Sequence, residues 1–411
     1  MKKILSTLAL ATCLSSNAMA AGFYIQEQSV SGLGNAFAGQ TAIARDASII
    51  YFNPAGMTYL EGRQGNIGVH FIAPYSDVDN TGTTVAIGGL EDSENPYGVS
   101  PVPNLFYSHQ LDDKNWVGFG VTAPFGLSNE YDDDWFGRFD SISSELLTLN
   151  FQPSYAHKVN DKLSIGAGVD IQYVDAELKS ARFLGAGAEG VSTLEGDDIS
   201  FGYNVGMMYE VTPETTLGLH YRSQVNHKLD GKISLEGTGT AFDGTNPGKA
   251  NLNLPEMASL GLSHDLDDQW TIMGGATWFG WSNYERITAI TDAGVVSQDQ
   301  AQGYKNSWAF NIGAEYDYSD DWTFRGGVQY DQTPTTDGFR STRTPDGDRI
   351  WVAGGATYNI NSKMALDMAA TYINVGEEDI NLTRSAPGTS VIDAENNGHV
   401  GIIAVGLNYK F

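Results

Sequence analysis

Apolar and polar residues alternate along much of this chain. From Thr148 to Tyr155, Leu149, Phe151 and Tyr155 share one side, and Thr148, Asn150, Gln152 and Ser154 the other. From Thr216 to Arg222, Leu217, Leu219 and Tyr221 face away from His220 and Arg222. The last residues repeat the pattern, with Ile403, Val405, Leu407, Tyr409 and Phe411 set against Ala404, Gly406, Asn408 and Lys410. A period of two predicts strands with one apolar face and one small or polar face. Fourteen such segments are predicted: 63–75, 101–110, 115–123, 145–158, 162–176, 199–211, 214–227, 255–264, 269–281, 303–317, 321–332, 348–359, 362–375 and 398–411. Short acidic or polar links (Asp112 to Asn115, Asn160 to Lys162, Thr212 to Glu214) alternate with long ones at 183–198, 228–254, 282–302, 333–347 and 376–397.

No stretch after the first twenty residues reaches 18 consecutive apolar positions, so transmembrane helices are not expected. The spanning solution that remains is a closed barrel, because only closure pairs every backbone N–H and C=O in lipid. An even number of antiparallel strands, short turns at one end and long loops at the other fit an outer-membrane barrel in a Gram-negative cell. Trp116, Trp270, Trp278, Trp322 and Trp351 lie near strand ends and suggest interfacial rings, although each could equally be a core residue. A large soluble β protein of sandwich or solenoid type is the competing fold, and the alternation weighs against it.

Lys2 and Lys3, an apolar run from Ile4 to Leu14 and the small residues before Ala21 read as a secretory signal peptide over 1–20. Its removal takes Cys13 and leaves a chain without cysteine, hence without disulfides or thiolate chemistry. The formal charge of −27 and the absence of basic patches exclude nucleic-acid partners. Residues 21–62 lack alternation and contain Gly32, Gly34, Gly39, Asn53, Pro54 and Gly56. They predict a compact hatch plugging the lumen, with a periplasmic tail as the alternative, and the barrel then occupies 63–411.

No catalytic constellation is present. The seven histidines lack metal-ligand spacing, and no His-Glu-x-x-His, Gly-x-Ser-x-Gly or P-loop occurs, so neither an enzyme nor a metal or cofactor is expected. A plugged lumen favours gated, substrate-specific passage over an open diffusion pore. Arg182 and Lys305 lie near strand ends, and a half-buried cation in so acidic a chain needs either a neighbouring Asp or a carboxylate ligand.

Several blocks closely resemble the OMPP1/FadL/TodX family of outer-membrane transporters of hydrophobic compounds. They are Ala21, Gly22, Phe23; Ser31 to Gly34 with Ala36; Asn53, Pro54, Ala55; Gly137, Arg138, Phe139; Ser144 to Leu146 with Thr148 to Asn150; Leu254, Pro255, Glu256; and Pro345, Asp346, Asp348, Arg349, Trp351. The resemblance implies a monomeric, 14-stranded, all-β transmembrane barrel with an N-terminal hatch, set among outer-membrane lipid and lipopolysaccharide. It implies passive transport of long-chain fatty acids by external capture, hatch rearrangement and lateral release into the membrane, with no cofactor.

It also implies that Arg182 and Lys305 clamp the carboxylate, that Phe23 reaches the pocket edge and that Asn53, Pro54 and Ala55 brace the hatch. The 124–144 connection is shorter than the apolar loop that some fatty-acid members use for capture, yet it offers Phe125, Leu127, Trp135 and Phe136 as the external capture set. Uncharged or aromatic hydrophobic compounds therefore stand as an alternative cargo, and a general porin as a more distant one.

Overall fold

The computed structural model describes residues 22–185, 188–385 and 389–411. The signal peptide predicted for 1–20 lies outside the described residues. Nineteen antiparallel strands form one continuous sheet. They are β1 (Arg63–Asn80), β2 (Ser100–Gln110), β3 (Asn115–Thr122), β4 (Gly126–Glu130), β5 (Ser143–Lys158), β6 (Leu163–Phe183), β7 (Glu189–Thr212), β8 (Thr215–Arg222), β9 (Val225–Glu236) and β10 (Gly244–Leu254). The rest are β11 (Met257–Asp265), β12 (Trp270–Phe279), β13 (Arg286–Thr291), β14 (Val296–Ala301), β15 (Ser307–Asp317), β16 (Trp322–Asp331), β17 (Arg349–Asn361), β18 (Met364–Ser385) and β19 (Thr389–Lys410).

The ladder closes where β1 pairs with β19, and the wall so formed has 14 strands, as the alternation predicts. Five strands are additions to it. β4 continues the line of β3, β9 and β10 form a tall hairpin in the link expected to be a loop at 228–254, and β13 and β14 form another within 282–302. The stave predicted at 214–227 breaks after Arg222, where Ser223 Oγ rather than a backbone carbonyl accepts from Tyr203 N (3.0 Å). Several staves also run further than expected, β18 to Ser385 and β6 to Phe183. Strands that leave the lipid keep pairing because an unpaired edge would expose a row of backbone groups.

The side-chain alternation falls as predicted. Ile403 and Tyr155 point outward, at 68% and 48% exposure, while Thr148, Asn150, Gln152 and Ala404 are buried inward. Trp270 is exposed on the outer face, but Trp116 and Trp351 are buried in the lumen. Trp116 donates its indole N–H to Leu60 O (2.8 Å), and Trp351 packs edge-on against Phe37. For those two the interfacial reading is corrected.

Residues 22–62 lie inside the barrel and touch its wall all round: Val30 meets Gly406, Asn35 meets Gly327, Thr41 meets Gly218, and Ala55 meets Gly166. This plug carries two single helical turns, α1 (Val30–Leu33) and α2 (Ile49–Phe52), and a 3-10 segment from Pro54 to Tyr59. Ser29 caps α1 by accepting from Gly32 N (3.0 Å). Irregular backbone is tolerated at this depth because protein rather than lipid surrounds it.

Candidate functional site

The plug is fixed to the wall by a buried polar cluster. Asp170 on β6 pairs with Arg222 on β8 and accepts from Asn150 (2.8 Å) and Asn204 (3.0 Å). Arg222 also donates to Tyr51 O (2.8 Å) and Gln152 Oε1 (2.9 Å), and lies 4.3 Å from the centre of the Tyr51 ring. Gln152 in turn donates to Ile50 O (2.7 Å). Asn53 donates to Thr41 O (2.7 Å) and to Met207 O on the wall (3.0 Å), and its own carbonyl oxygen accepts from Ala55 N (3.1 Å), with Pro54 opening the 3-10 segment. A polar residue buried in this way is costly unless its hydrogen bonds are met, and here each plug contact meets one.

Among the described residues the wall lacks a ladder between β2 and β4. β2 pairs with β3 only from Leu105 onward. Pro124 sits in the bend between β3 and β4 and has no N–H to offer a neighbouring strand. The plug takes up the backbone groups of that bend. Gln28 donates to Ala123 O (2.9 Å) and accepts from Ala123 N (3.2 Å), Ile25 N donates to Pro124 O (2.8 Å), and Gly126 N donates to Phe23 O (3.0 Å).

Phe23 is buried edge-on against Trp281 (ring centres 4.9 Å) and Tyr284 (5.2 Å). Its neighbour Gly22 donates to Asp346 Oδ2 in the 332–348 loop (2.9 Å). Beside Phe23 lies a cavity of about 70 Å³ walled mainly by leucines, among them Leu127, Leu146, Leu194 and Leu229, and its lining also includes Arg343 and Thr344, the carboxylates Glu145 and Glu195, and Lys249. A second, polar cavity of about 590 Å³ is lined by Arg182, Arg384, Asp140, Phe183 and Phe339, and forms a vestibule. Asp140 belongs to the vestibule, and its backbone oxygen accepts from Arg343 Nη2 (2.6 Å), so the 140–144 segment stands between the two spaces. Burial alone would raise the Asp140 carboxyl, but the Arg384 and Arg343 guanidiniums hold it well below the usual carboxylate range.

The expected site residues divide among these places. Phe23 lines the apolar cavity and Arg182 the vestibule. Lys305 is exposed between β14 and β15, its backbone N–H bound to Pro334 O (2.8 Å), and no contact joins it to Arg182 among the described residues. The capture set does not form an open groove. Phe125 and Leu127 are buried in the cluster around Phe23, whereas Trp135 and Phe136 are buried with Val78 and Ile380. Trp135 stacks on Tyr131 (3.8 Å) and donates to Ser141 O (2.7 Å), which turns the loop inward. Arg343 and Gln28 were not anticipated. The available signal for Arg343 was two arginines, at 340 and 343, in one link of a strongly acidic chain.

A closed 14-stranded barrel with an obstructed lumen and a broken wall defines an outer-membrane transport barrel rather than an open pore. Residues 11–411 match the family model described as outer membrane protein transport protein (OMPP1/FadL/TodX), and the chain belongs to that family. It is 30% identical over 442 residues to the long-chain fatty acid transport protein of Escherichia coli O6:H1, covering 99% of this chain and 98% of that one. The crystal structure of a Pseudomonas aeruginosa FadL homologue superimposes with a TM-score of 0.90 at 24% identity, over 95% of this chain and all (100%) of that one. The Ralstonia pickettii toluene transporter TbuX shares the fold with a TM-score of 0.70 at 21% identity, over 92% and 100% of the two chains. The family consists of outer-membrane transporters and not of enzymes.

Proposed function

We propose that this protein carries long-chain fatty acids passively across the outer membrane, working as a monomer among outer-membrane lipid and lipopolysaccharide. The ligand collects in the vestibule, enters the apolar cavity beside Phe23, and leaves sideways through the wall at the β3–β4 bend once the plug rearranges as a hatch. One observation carries this reading: Phe23 both bounds the apolar cavity and hydrogen-bonds the broken wall. Movement of this one residue would enlarge the cavity and open the exit together. Such coupling is required, because about 70 Å³ holds only the equivalent of roughly two waters and not a long chain. A lateral exit also keeps the chain out of water, which would cost roughly 0.8 kcal/mol per exposed CH₂. The fatty-acid cargo of the E. coli relative supports the choice of ligand.

A second reading, uptake of uncharged aromatic compounds, is favoured by the rings of Trp281, Tyr284 and Phe125 around Phe23 and by the toluene-transporter fold. The two readings share the cavity and differ in the need for a cation.

Ala250 on β10 is a buried lining residue in a hairpin beyond the 14-strand wall, so Ala250→Trp fills the cavity without disturbing closure. Fatty-acid binding, measured by titration in detergent, should fall at least ten-fold, with heat-modifiable gel migration retained. Unchanged binding would remove the cavity from the pathway. In whole-cell uptake at limiting ligand, Arg182→Met should slow entry more than Lys305→Met, because the exposed Lys305 charge is screened by salt. The reverse order would place the first cationic contact at Lys305.

A further inference from the structure

Arg343 sits in the 332–348 loop with 7% of its surface exposed and lines the apolar cavity. Its guanidinium donates to three carbonyl oxygens, Asp140 O (2.6 Å), Ser143 O (2.9 Å) and Lys179 O (3.0 Å), and to the hydroxyls of Ser144 (2.8 Å) and Ser141 (3.3 Å). Every one of these acceptors is neutral. No carboxylate lies within ion-pair distance of Arg343 among the described residues, although the other buried arginines, Arg138, Arg222, Arg325, Arg340 and Arg349, each have one. Its Nε–H is buried without a partner.

The surroundings sharpen the imbalance. Arg182, also without an ion pair among the described residues, and Arg384 lie close enough to repel Arg343, and Asp140 is committed to Arg384 (2.6 Å) and to Ser341 and Thr342. Arg343 and Arg384 thus share the carboxylate of Asp140, and Arg182 adds a third positive charge, in a chain whose net charge is −27. Burial, with the two arginines, lowers the Arg343 guanidinium to about 10, against the pull of Asp140. It therefore stays charged at neutral pH. A buried cation solvated only by dipoles, with one donor unfilled beside an apolar cavity, is incomplete without an anion.

We propose that Arg343 binds the head group of the ligand in the apolar cavity and makes that cavity selective for chains ending in a carboxylate over uncharged chains of equal length. The inference rests on the cavity being the ligand site. Five bonds hold the guanidinium plane fixed, so a carboxylate meets a preorganised donor and a full positive charge at once. The leucines and Phe23 take the first part of the chain, and the head group replaces no existing ion pair.

The test compares a saturated C16 fatty acid with the C16 alcohol by titration into detergent-solubilised protein. In the wild type the acid should bind about 10- to 150-fold more tightly, the range for a hydrogen bond to a charged group. Arg343→Gln should abolish that preference, the acid losing at least ten-fold more affinity than the alcohol, and Arg343→Lys, which keeps the charge, should retain part of it. Equal binding of acid and alcohol by the wild type overturns the proposal without any variant, so a misfolded Arg343→Gln protein does not shelter it. Parallel losses for acid and alcohol in a folded Arg343→Gln protein, or an undiminished preference, also overturn it. If neither compound binds the wild type, the cavity reading falls as well, whereas loss of the preference alone removes only the role of Arg343.

Discussion

Asp170→Ala should unseat the plug at a cost of about 3–5 kcal/mol, the range for removing one partner of a buried ion pair. Asp170 and Arg222 are both almost fully buried, and the carboxylate also accepts from Asn150 and Asn204. Its loss leaves a guanidinium in the lumen facing only the Tyr51 carbonyl, the Gln152 amide and an aromatic ring. A loss of that size raises the unseated population by about a hundred-fold or more. The expected readout is a rise in ion conductance across planar bilayers, with the barrel itself still heat-modifiable. Asp170→Asn keeps the shape without the charge and should fall between the two. A variant with wild-type conductance and wild-type unfolding would show that the cluster does not hold the plug.

Gly218→Val should reach the same end by volume alone. Gly218 lies on β8 opposite Thr41, and a Cβ there would overlap the Thr41 carbonyl. The obstacle is plug backbone, which has no rotamer to move aside, and the neighbouring approaches of Gly206 to Asn53 and Gly261 to Thr41 leave no slack. Overpacking of a tight interior typically costs about 1–3 kcal/mol, and more where backbone must shift. We expect the barrel to assemble with its plug displaced and Arg45, now paired with Glu315 (2.6 Å), open to trypsin. Protection of Arg45 equal to that of the wild type would mean that the plug adapts to the added side chain.

The staves were legible because lipid on one side imposes a period of two that no soluble loop must obey. The hairpin β9–β10 was not, although Leu229, Ile233, Ala250 and Leu252 alternate with Lys228, Asp230, Lys232, Lys249 and Asn251, because its outward positions are charged or polar and read as a loop rather than a lipid-facing stave. The short strands β13 and β14 carry little contrast at all. Trp116 and Trp351 show where residue type misleads and parity does not. Val117, Phe119 and Val121 mark the outer face of β3, and Ile350 and Val352 that of β17, so each tryptophan falls on the inner parity. Arg222 could have been read in the same way, as a charge on the inward side of a stave. Arg343 lies in a link without period, and its role depends on a fold that brings the 140–144 and 332–348 segments together. The 124–144 loop failed for a related reason, because its aromatics look like a surface until Tyr131 and Trp135 are seen to stack inward.

The seam between β1 and β19 sets the order of assembly. It runs from Gln64 opposite Lys410 to Asn80 opposite Ala394, so the first stave made must wait for the last before the wall can close. Joining segments this far apart in sequence is slow, and until it happens both edges of the sheet stand open to other chains. The plug precedes β1 in the chain, so it is made before any stave and is at hand when the seam shuts around the lumen.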